Sequence, residues 1–101
     1  MALKQPRENA AAAAETLAIQ ALAFLGEDAE RLGRFLAVSG IGPADLRAAA
    51  AEPQFLAGLM DYVASDETLL VEFAKHVDLA PEEIARACAV LGGQPWERDT
   101  P

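Results

Sequence analysis

The sequence has few of the residues from which most catalytic and metal sites are built. It contains one cysteine, Cys88, and one histidine, His76. A single cysteine cannot form a disulfide within the chain, and a single histidine leaves no second imidazole for a zinc site. No serine and aspartate can be assigned with His76 to a specific Ser/His/Asp set. Cys88 also falls on an apolar helical stripe with only Arg86 as a basic neighbour, which is typical of a small core residue. We therefore expect a non-enzymatic protein with no catalytic residues, no metal and no cofactor.

Basic residues are scarce as well. Lysine and arginine number 8 against 16 aspartates and glutamates, so the net charge is −8. Nucleic-acid binding depends on clustered positive charge that displaces counterions from phosphates, and direct binding to DNA or RNA is therefore disfavoured. Residues 52–85 hold eight acids and one base, Lys75, so 8 minus 1 places seven net negative charges in this third of the chain. This region is either a solvated surface or a docking surface for a basic partner protein.

Long hydrophobic runs are absent. The most apolar stretch, residues 17–25, is far shorter than the ~20 residues that cross a bilayer. The first eight residues include Lys4, Gln5, Arg7 and Glu8 and contain no apolar signal-peptide core. These features predict a cytoplasmic protein that does not bind a membrane.

Alanine and leucine are what the sequence has in abundance. Hydrophobic residues make up 52% of the chain and aromatic residues 6%, and strong helix formers outnumber β-branched residues. A chain of 101 residues is long enough for one core. We predict an all-α fold, a compact bundle of about six short helices, with a flexible N-terminus at residues 1–8, a single helical domain at 9–93 and a flexible tail at 94–101.

Prolines, glycines and capping residues predict the helix boundaries. The first predicted helix has Pro6 near its head and Asn9 as a candidate N-cap, and it ends at Gly26. The other five extend from Asp28 to Gly40, from Pro43 to about Ala51, from Gln54 to Ala64, from the N-cap Ser65 through Val77, and from Pro81 to Gly92. The first helix is apolar almost all round in its second half, so we expect it at the centre of the fold. The predicted apolar stripe of the fourth helix is Phe55, Leu59, Tyr62 and Val63.

An offset of 38 residues relates two parts of the chain. It pairs core, cap and helix-start positions, namely Phe35 with Phe73, Asp28 with Asp66 and Pro43 with Pro81. Two similar three-helix halves, at about 15–51 and 53–91, would leave this pattern, although amphipathic helices with proline starts can also be slid into register. Because units of under about 40 residues rarely fold alone, we predict one shared core that buries both phenylalanines.

Several features resemble binding or catalytic motifs but have simpler explanations. Residues 35–47 have the order of a helix-turn-helix, yet only Arg47 offers a basic contact, and a plain helical corner is the better interpretation. The adjacent pairs Asp66-Glu67 and Glu82-Glu83 fall in first helical turns, where capping and the helix dipole explain them. His76 falls near the end of the fifth helix, where the dipole favours a cation.

Trp96 stands alone in the polar tail. It is either an anchor for a partner or a side chain that folds back onto the body. With the acids of the second half, it completes the set of possible protein-binding residues: Asp61, Asp66, Glu67, Glu72, Glu82, Glu83 and Trp96.

The chain resembles a family of short alphaproteobacterial proteins known only as a domain of unknown function. The resemblance rests on residues 17–47, and continues through Phe55, Leu59 and the Phe73 helix to residues 91–93. It implies a bacterial, cytoplasmic, all-helical protein with no assigned activity, and it supplies no site residues.

The preferred hypothesis is a non-enzymatic protein-interaction or adaptor domain with an acidic surface, whose acidic second half or helical grooves bind another protein. The first alternative is a helix-turn-helix-derived regulator that acts on nucleic acid. The second is a small-molecule binder with a pocket between the two halves.

Overall fold

Helices form nearly the whole of the described chain. The computed structural model describes the backbone of residues 6–92 and the side chains of residues 10–92. Its elements are α1 (Pro6–Gly26), α2 (Ala29–Ser39), a 3₁₀ turn (Pro43–Asp45), α3 (Leu46–Ala49), α4 (Pro53–Ser65), α5 (Glu67–Val77) and α6 (Pro81–Gly92). Between residues 6 and 92 there is no β-strand. The predicted all-α bundle of about six helices is confirmed.

Proline begins three of the helices. Helices α1, α4 and α6 start at Pro6, Pro53 and Pro81, since the first turn of a helix does not need the amide hydrogen that proline lacks. The backbone at Asn9 is therefore inside α1, and the prediction of an N-cap at this residue is wrong. Helix α4 likewise begins one residue before the predicted Gln54.

The second helix has the predicted ends. Asp28 Oδ1 accepts hydrogen bonds from the backbone N–H groups of Glu30 at 3.0 Å and Arg31 at 3.4 Å. At the other end Gly40 adopts φ 78°, and its N–H donates to the carbonyl of Leu36. Glycine suits this left-handed position because it has no Cβ to clash with the backbone.

A single residue joins α4 to α5. Asp66 has an extended backbone, its N–H donates to the Val63 carbonyl at 3.4 Å, and its side chain accepts from the N–H of Leu69 at 3.1 Å. Ser65 is instead the last residue of α4, and its hydroxyl donates to the Tyr62 carbonyl at 3.1 Å. The predicted N-cap Ser65 is therefore wrong by one residue, because this hydroxyl bonds backward into α4 and leaves the capping to Asp66.

One hydrophobic cluster joins five of the helices. It contains side chains from α1, α2, α4, α5 and α6. Phe35 is 3% exposed and Phe73 is fully buried, which confirms both predictions of burial. The Phe73 ring lies 5.4 Å from that of Phe24, and the Phe35 ring lies 5.1 Å from that of Tyr62. Both three-helix segments therefore contribute to the same core.

The first helix contacts α2, α4, α5 and α6. Ala18, Ala21 and Leu25 on α1 are fully buried, whereas Ile19 is 44% exposed. The predicted central position of α1 is confirmed, but one side of the helix faces solvent.

The apolar stripe of α4 is rotated from the predicted one. Leu59 and Val63 are fully buried as predicted, but the positions beside them in the core belong to Leu56 and Met60. Phe55 and Tyr62 are half-buried at the edge of the core, next to Phe35. Aliphatic side chains take the centre here, and the two aromatic rings cover it.

Candidate functional site

The predicted acidic binding residues are all exposed, but they do not form one surface cluster. Asp66 and Glu72 line a cleft between α2 and α5, whereas Glu83 lines a separate groove between α1 and α6. Three of the six acids also make bonds within the fold, since Asp66 caps α5, Glu72 pairs with Arg31, and Glu83 Oε1 accepts from the Ala80 N–H at 3.0 Å. These three acids therefore have a structural role within the fold.

The cleft between α2 and α5 is polar and holds an ion pair. The Arg31 guanidinium donates to Glu72 Oε1 at 2.9 Å, and its central carbon lies 4.5 Å from the centre of the Phe24 ring. The cleft has a volume of about 280 Å³ and also includes Arg34. Two arginines among three acids leave little net charge, and the Arg31 contacts hold α2 against α1 and α5. The polar side chains of this cleft therefore connect helices to one another.

His76 joins the end of α5 to the end of α1. Its ring lies 4.9 Å from the Phe24 ring, and its Nε2 lies 3.9 Å from a carboxylate oxygen of Glu27. The residue is in the last turn of α5, as predicted. Sequence reasoning did not identify its contacts with α1, because they join residues about 50 positions apart.

Cys88 packs against the edge of the core. Burial, and in second place the Asp61 carboxylate, raises the pKa of the Cys88 thiol. The neutral thiol is therefore favoured, and a neutral thiol is a poor nucleophile and a poor metal ligand. Among residues 10–92, no group of three His, Cys, Asp or Glu side chains is placed to hold a metal ion.

The would-be helix-turn-helix has a very short second helix. After α2 the chain forms the 3₁₀ turn and then α3, which has 4 residues. A recognition helix needs several turns to present side chains to base edges along a groove. Arg47 is exposed on this single turn, so the segment lacks the form of a DNA-reading helix.

An apolar depression lies between α1 and α6. This groove, called the α1–α6 groove below, has a volume of about 470 Å³ and opens to solvent. Its lining residues are Ala10, Ala13, Ala14, Thr16, Leu17, Gln20, Leu79, Glu83, Arg86, Ala87 and Val90. Apolar side chains dominate, and the polar ones are few and include one carboxylate and one guanidinium. The groove can therefore accept an apolar side chain and orient it through its polar ones.

The spacing within α1 explains the groove. Ala10, Ala13, Ala14 and Leu17 recur three and four residues apart and so share one face of the helix. The small alanine side chains leave space beside α6 that larger ones would fill. The groove was not predicted from the sequence, although the spacing of these residues is the signal that could have indicated it. Trp96 lies outside the described residues.

No helix within the described range has the length and apolar character to span a membrane.

One family model matches most of the chain. It is described as "Protein of unknown function (DUF3572)" and matches residues 11–94. The matched range contains both sides of the α1–α6 groove except Ala10. No curated protein and no solved structure matches the chain.

Proposed function

Because the chain belongs to the family described as "Protein of unknown function (DUF3572)", membership assigns it no activity, and we propose a function from its geometry. The chain is a non-enzymatic protein-interaction domain. Its α1–α6 groove receives the apolar side of a partner segment that also carries basic residues.

The α1–α6 groove is the observation that carries this proposal. Exposed apolar surface is unfavourable in water, and a contiguous apolar groove rimmed by polar groups is typical of a binding surface. The α1 side presents Ala10, Ala13 and Leu17 along one face. A partner helix that buries its own apolar residues at matching intervals would fill the space between α1 and α6.

The charge of the domain supports a basic partner. All eight acids between residues 52 and 85 are exposed, and Glu83 lies at the groove itself. A basic segment would therefore approach through a favourable field and pair with the Glu83 carboxylate at the rim. Its association rate should fall as salt concentration rises, because salt screens these long-range attractions.

Affinity capture from the native host with paired variants tests the proposal. Ala13 is exposed and lines the groove, whereas Ala12 is exposed on the same helix and does not line it. A partner should bind the wild type and Ala12→Glu but not Ala13→Glu, and cross-linking should locate its bound segment as apolar with basic flanks. Recovery of no protein above background at low and moderate salt, or equal capture by both variants, would contradict the proposal.

A second candidate function is the binding of an apolar small molecule. The groove volume of about 470 Å³ is within the range of small-molecule sites, which is roughly 300–1,000 Å³. The groove also lies between the two predicted halves. A ligand of this class would raise the melting temperature of Ala12→Glu but not that of Ala13→Glu.

No comparable observation supports the alternative of nucleic-acid binding. A mobility shift of a nucleic-acid duplex on addition of the protein at low ionic strength would be evidence for it.

The proposal also includes the source of the domain and its location in the cell. We infer an alphaproteobacterial source and a cytoplasmic location from the sequence resemblance. Fractionation of the native host with an antibody against the chain tests the location, and recovery in the membrane or periplasmic fraction would contradict it.

A further inference from the structure

We propose that the C-terminal segment, residues 93–101, docks into the α1–α6 groove of its own chain, with Trp96 as the side chain that enters. The inference names the occupant of the groove in the free protein. It rests on the proposed function only for its regulatory consequence, which is that a partner must displace the segment.

The position where α6 ends supports this occupant. Ala87 and Val90 line the groove, and α6 ends two residues after Val90, at Gly92. The chain therefore leaves the bundle beside the groove. Trp96 follows Gly92 by four residues and can lie at most about 14 Å from it, since an extended chain spans ~3.3–3.6 Å per residue. The short connection also keeps the entropy of closing the loop small.

The residues between α6 and Trp96 favour a change of direction. Gly92 and Gly93 are consecutive glycines, which destabilise further helix, and glycine is the usual residue where a helix ends and the chain turns back. Pro95 cannot continue a helix because it lacks the amide hydrogen and its ring clashes with the preceding turn. The segment is thus suited to return toward α1.

The chemistry of Trp96 matches the groove. An indole ring buries about 150–250 Å² of mostly apolar surface and still needs a hydrogen-bond acceptor for its N–H. The groove offers alanine and leucine side chains for the ring, and the side-chain oxygens of Gln20 and Glu83 as acceptors. Beside Trp96 the segment carries Glu97, Arg98 and Asp99, and the groove wall carries Glu83 and Arg86, so both sides have charges of each sign. The segment therefore offers the groove an apolar side chain with charged groups of both signs next to it.

Tryptophan fluorescence tests the docking directly, because Trp96 is the only tryptophan in the chain. In the folded chain of residues 1–101 its emission should be shifted to the blue of that in the urea-unfolded chain and protected from acrylamide quenching. Ala13→Glu places a carboxylate on the groove wall and should abolish both the blue shift and the protection. Ala12→Glu adds the same charge outside the groove and should leave both unchanged, with circular dichroism confirming that each variant is folded.

A second measurement does not depend on any variant. In the wild-type protein the indole protons should show nuclear Overhauser effects to the methyl groups of Ala13 and Ala87. An emission maximum equal to that of the unfolded chain would overturn the proposal, as would a blue shift that Ala13→Glu leaves intact. A blue shift that vanishes on dilution would also overturn it, because the groove would then belong to a second copy of the chain.

The regulatory consequence has its own test. A partner captured through the groove should bind Trp96→Ala more tightly than the wild type, because no segment must be displaced; equal binding would contradict the regulation. Absence of any partner would contradict the proposed function and leave the fluorescence result unchanged. The two failures are therefore distinguishable.

Discussion

The aromatic ring of Phe73 packs between helices α1 and α5. The side chain is fully buried and lies 5.4 Å from the Phe24 ring across the contact between α1 and α5. Phe73→Ala would leave a cavity among side chains from several helices and is expected to lower the free energy of unfolding by about 3–5 kcal/mol. Urea unfolding followed by circular dichroism measures this loss. Val38 is 72% exposed, and Val38→Ala is the control, with a change within about 0.5 kcal/mol.

At Cys88 the environment determines reactivity. Burial first, and the Asp61 carboxylate second, raises the pKa of the thiol. Because the thiolate is the reactive form, alkylation of the folded chain should begin at higher pH than alkylation of the urea-unfolded chain. Asp61→Asn should move the folded profile toward lower pH, whereas Glu67→Gln, on another helix, should not. A folded profile that coincides with the unfolded one would contradict the prediction.

The same pKa shift affects stability. The folded thiol holds its proton more tightly than the unfolded thiol. Its contribution to the free energy of unfolding is therefore complete below the unfolded pKa and is lost as pH rises through the folded pKa. Cys88→Ala should remove this part of the pH dependence, and chemical denaturation at neutral and alkaline pH measures it.

In α2 and at its C-terminal cap, two glycines should respond to the same substitution in opposite ways. Gly33 is in the helix interior and Gly40 follows the helix at φ 78°, and at both positions an added Cβ meets no atom within 4 Å. Gly33→Ala should raise the free energy of unfolding by about 0.5–1 kcal/mol, because alanine is the better helix former. Gly40→Ala should lower it by about 1–2 kcal/mol, since the left-handed conformation is unfavourable for a residue with a Cβ. Thermal unfolding of both variants checks the signs, and changes of the same sign would contradict the assignment.

The junction of α4 and α5 makes a similar comparison possible. Asp66→Ala removes the side chain that accepts from the Leu69 N–H and should lower the free energy of unfolding by about 0.5–2 kcal/mol. Ser65→Ala removes only a hydroxyl that bonds back to the Tyr62 carbonyl, and its effect should be smaller. If Ser65→Ala had the larger effect in urea unfolding, the capping assignment would be wrong.

Local signals in the sequence explain which elements could be predicted. Pro43, Pro81 and Gly40 act through their own backbone conformations, and Asp28 acts by capping the adjacent helix with its side chain. The helix boundaries near them therefore follow from the residue types. Met60 was missed because the periodicity of α4 is compatible with two neighbouring stripes. Only packing against α1 and α6 selects the aliphatic one.

On the scale of the whole molecule, the shared core makes the earlier and later helices interdependent. Helices α1 and α2 supply core residues to the same cluster as α4, α5 and α6. Fragments 1–51 and 53–101, prepared separately, should therefore be largely unfolded, because each is too small to bury a sufficient core. Far-ultraviolet circular dichroism of the fragments and their mixture measures this. A cooperative helical transition in either fragment alone would contradict the prediction.

Contacts between distant residues could not be predicted from the sequence. The Arg31–Glu72 pair spans 41 positions, and the α1–α6 groove joins residues near the two ends of the described chain. Their existence depends on how the helices pack, and a single sequence shows only the spacing within each helix. The predicted acids are exposed as expected, but their distribution over separate surfaces followed only from the fold. Whether the two halves arose by duplication stays a prediction.

Asp66 ends one helix and begins the next, and this junction limits how the gene can change in length. Because the junction is a single residue, no loop is present that could accommodate an inserted residue between α4 and α5. It would turn α5 by about 100° about its own axis, sweeping Phe73 out of the interior and bringing a solvent-facing residue such as Glu72 inward. Insertions and deletions should therefore be rejected here, and accepted more readily in the longer connection between α2 and α4.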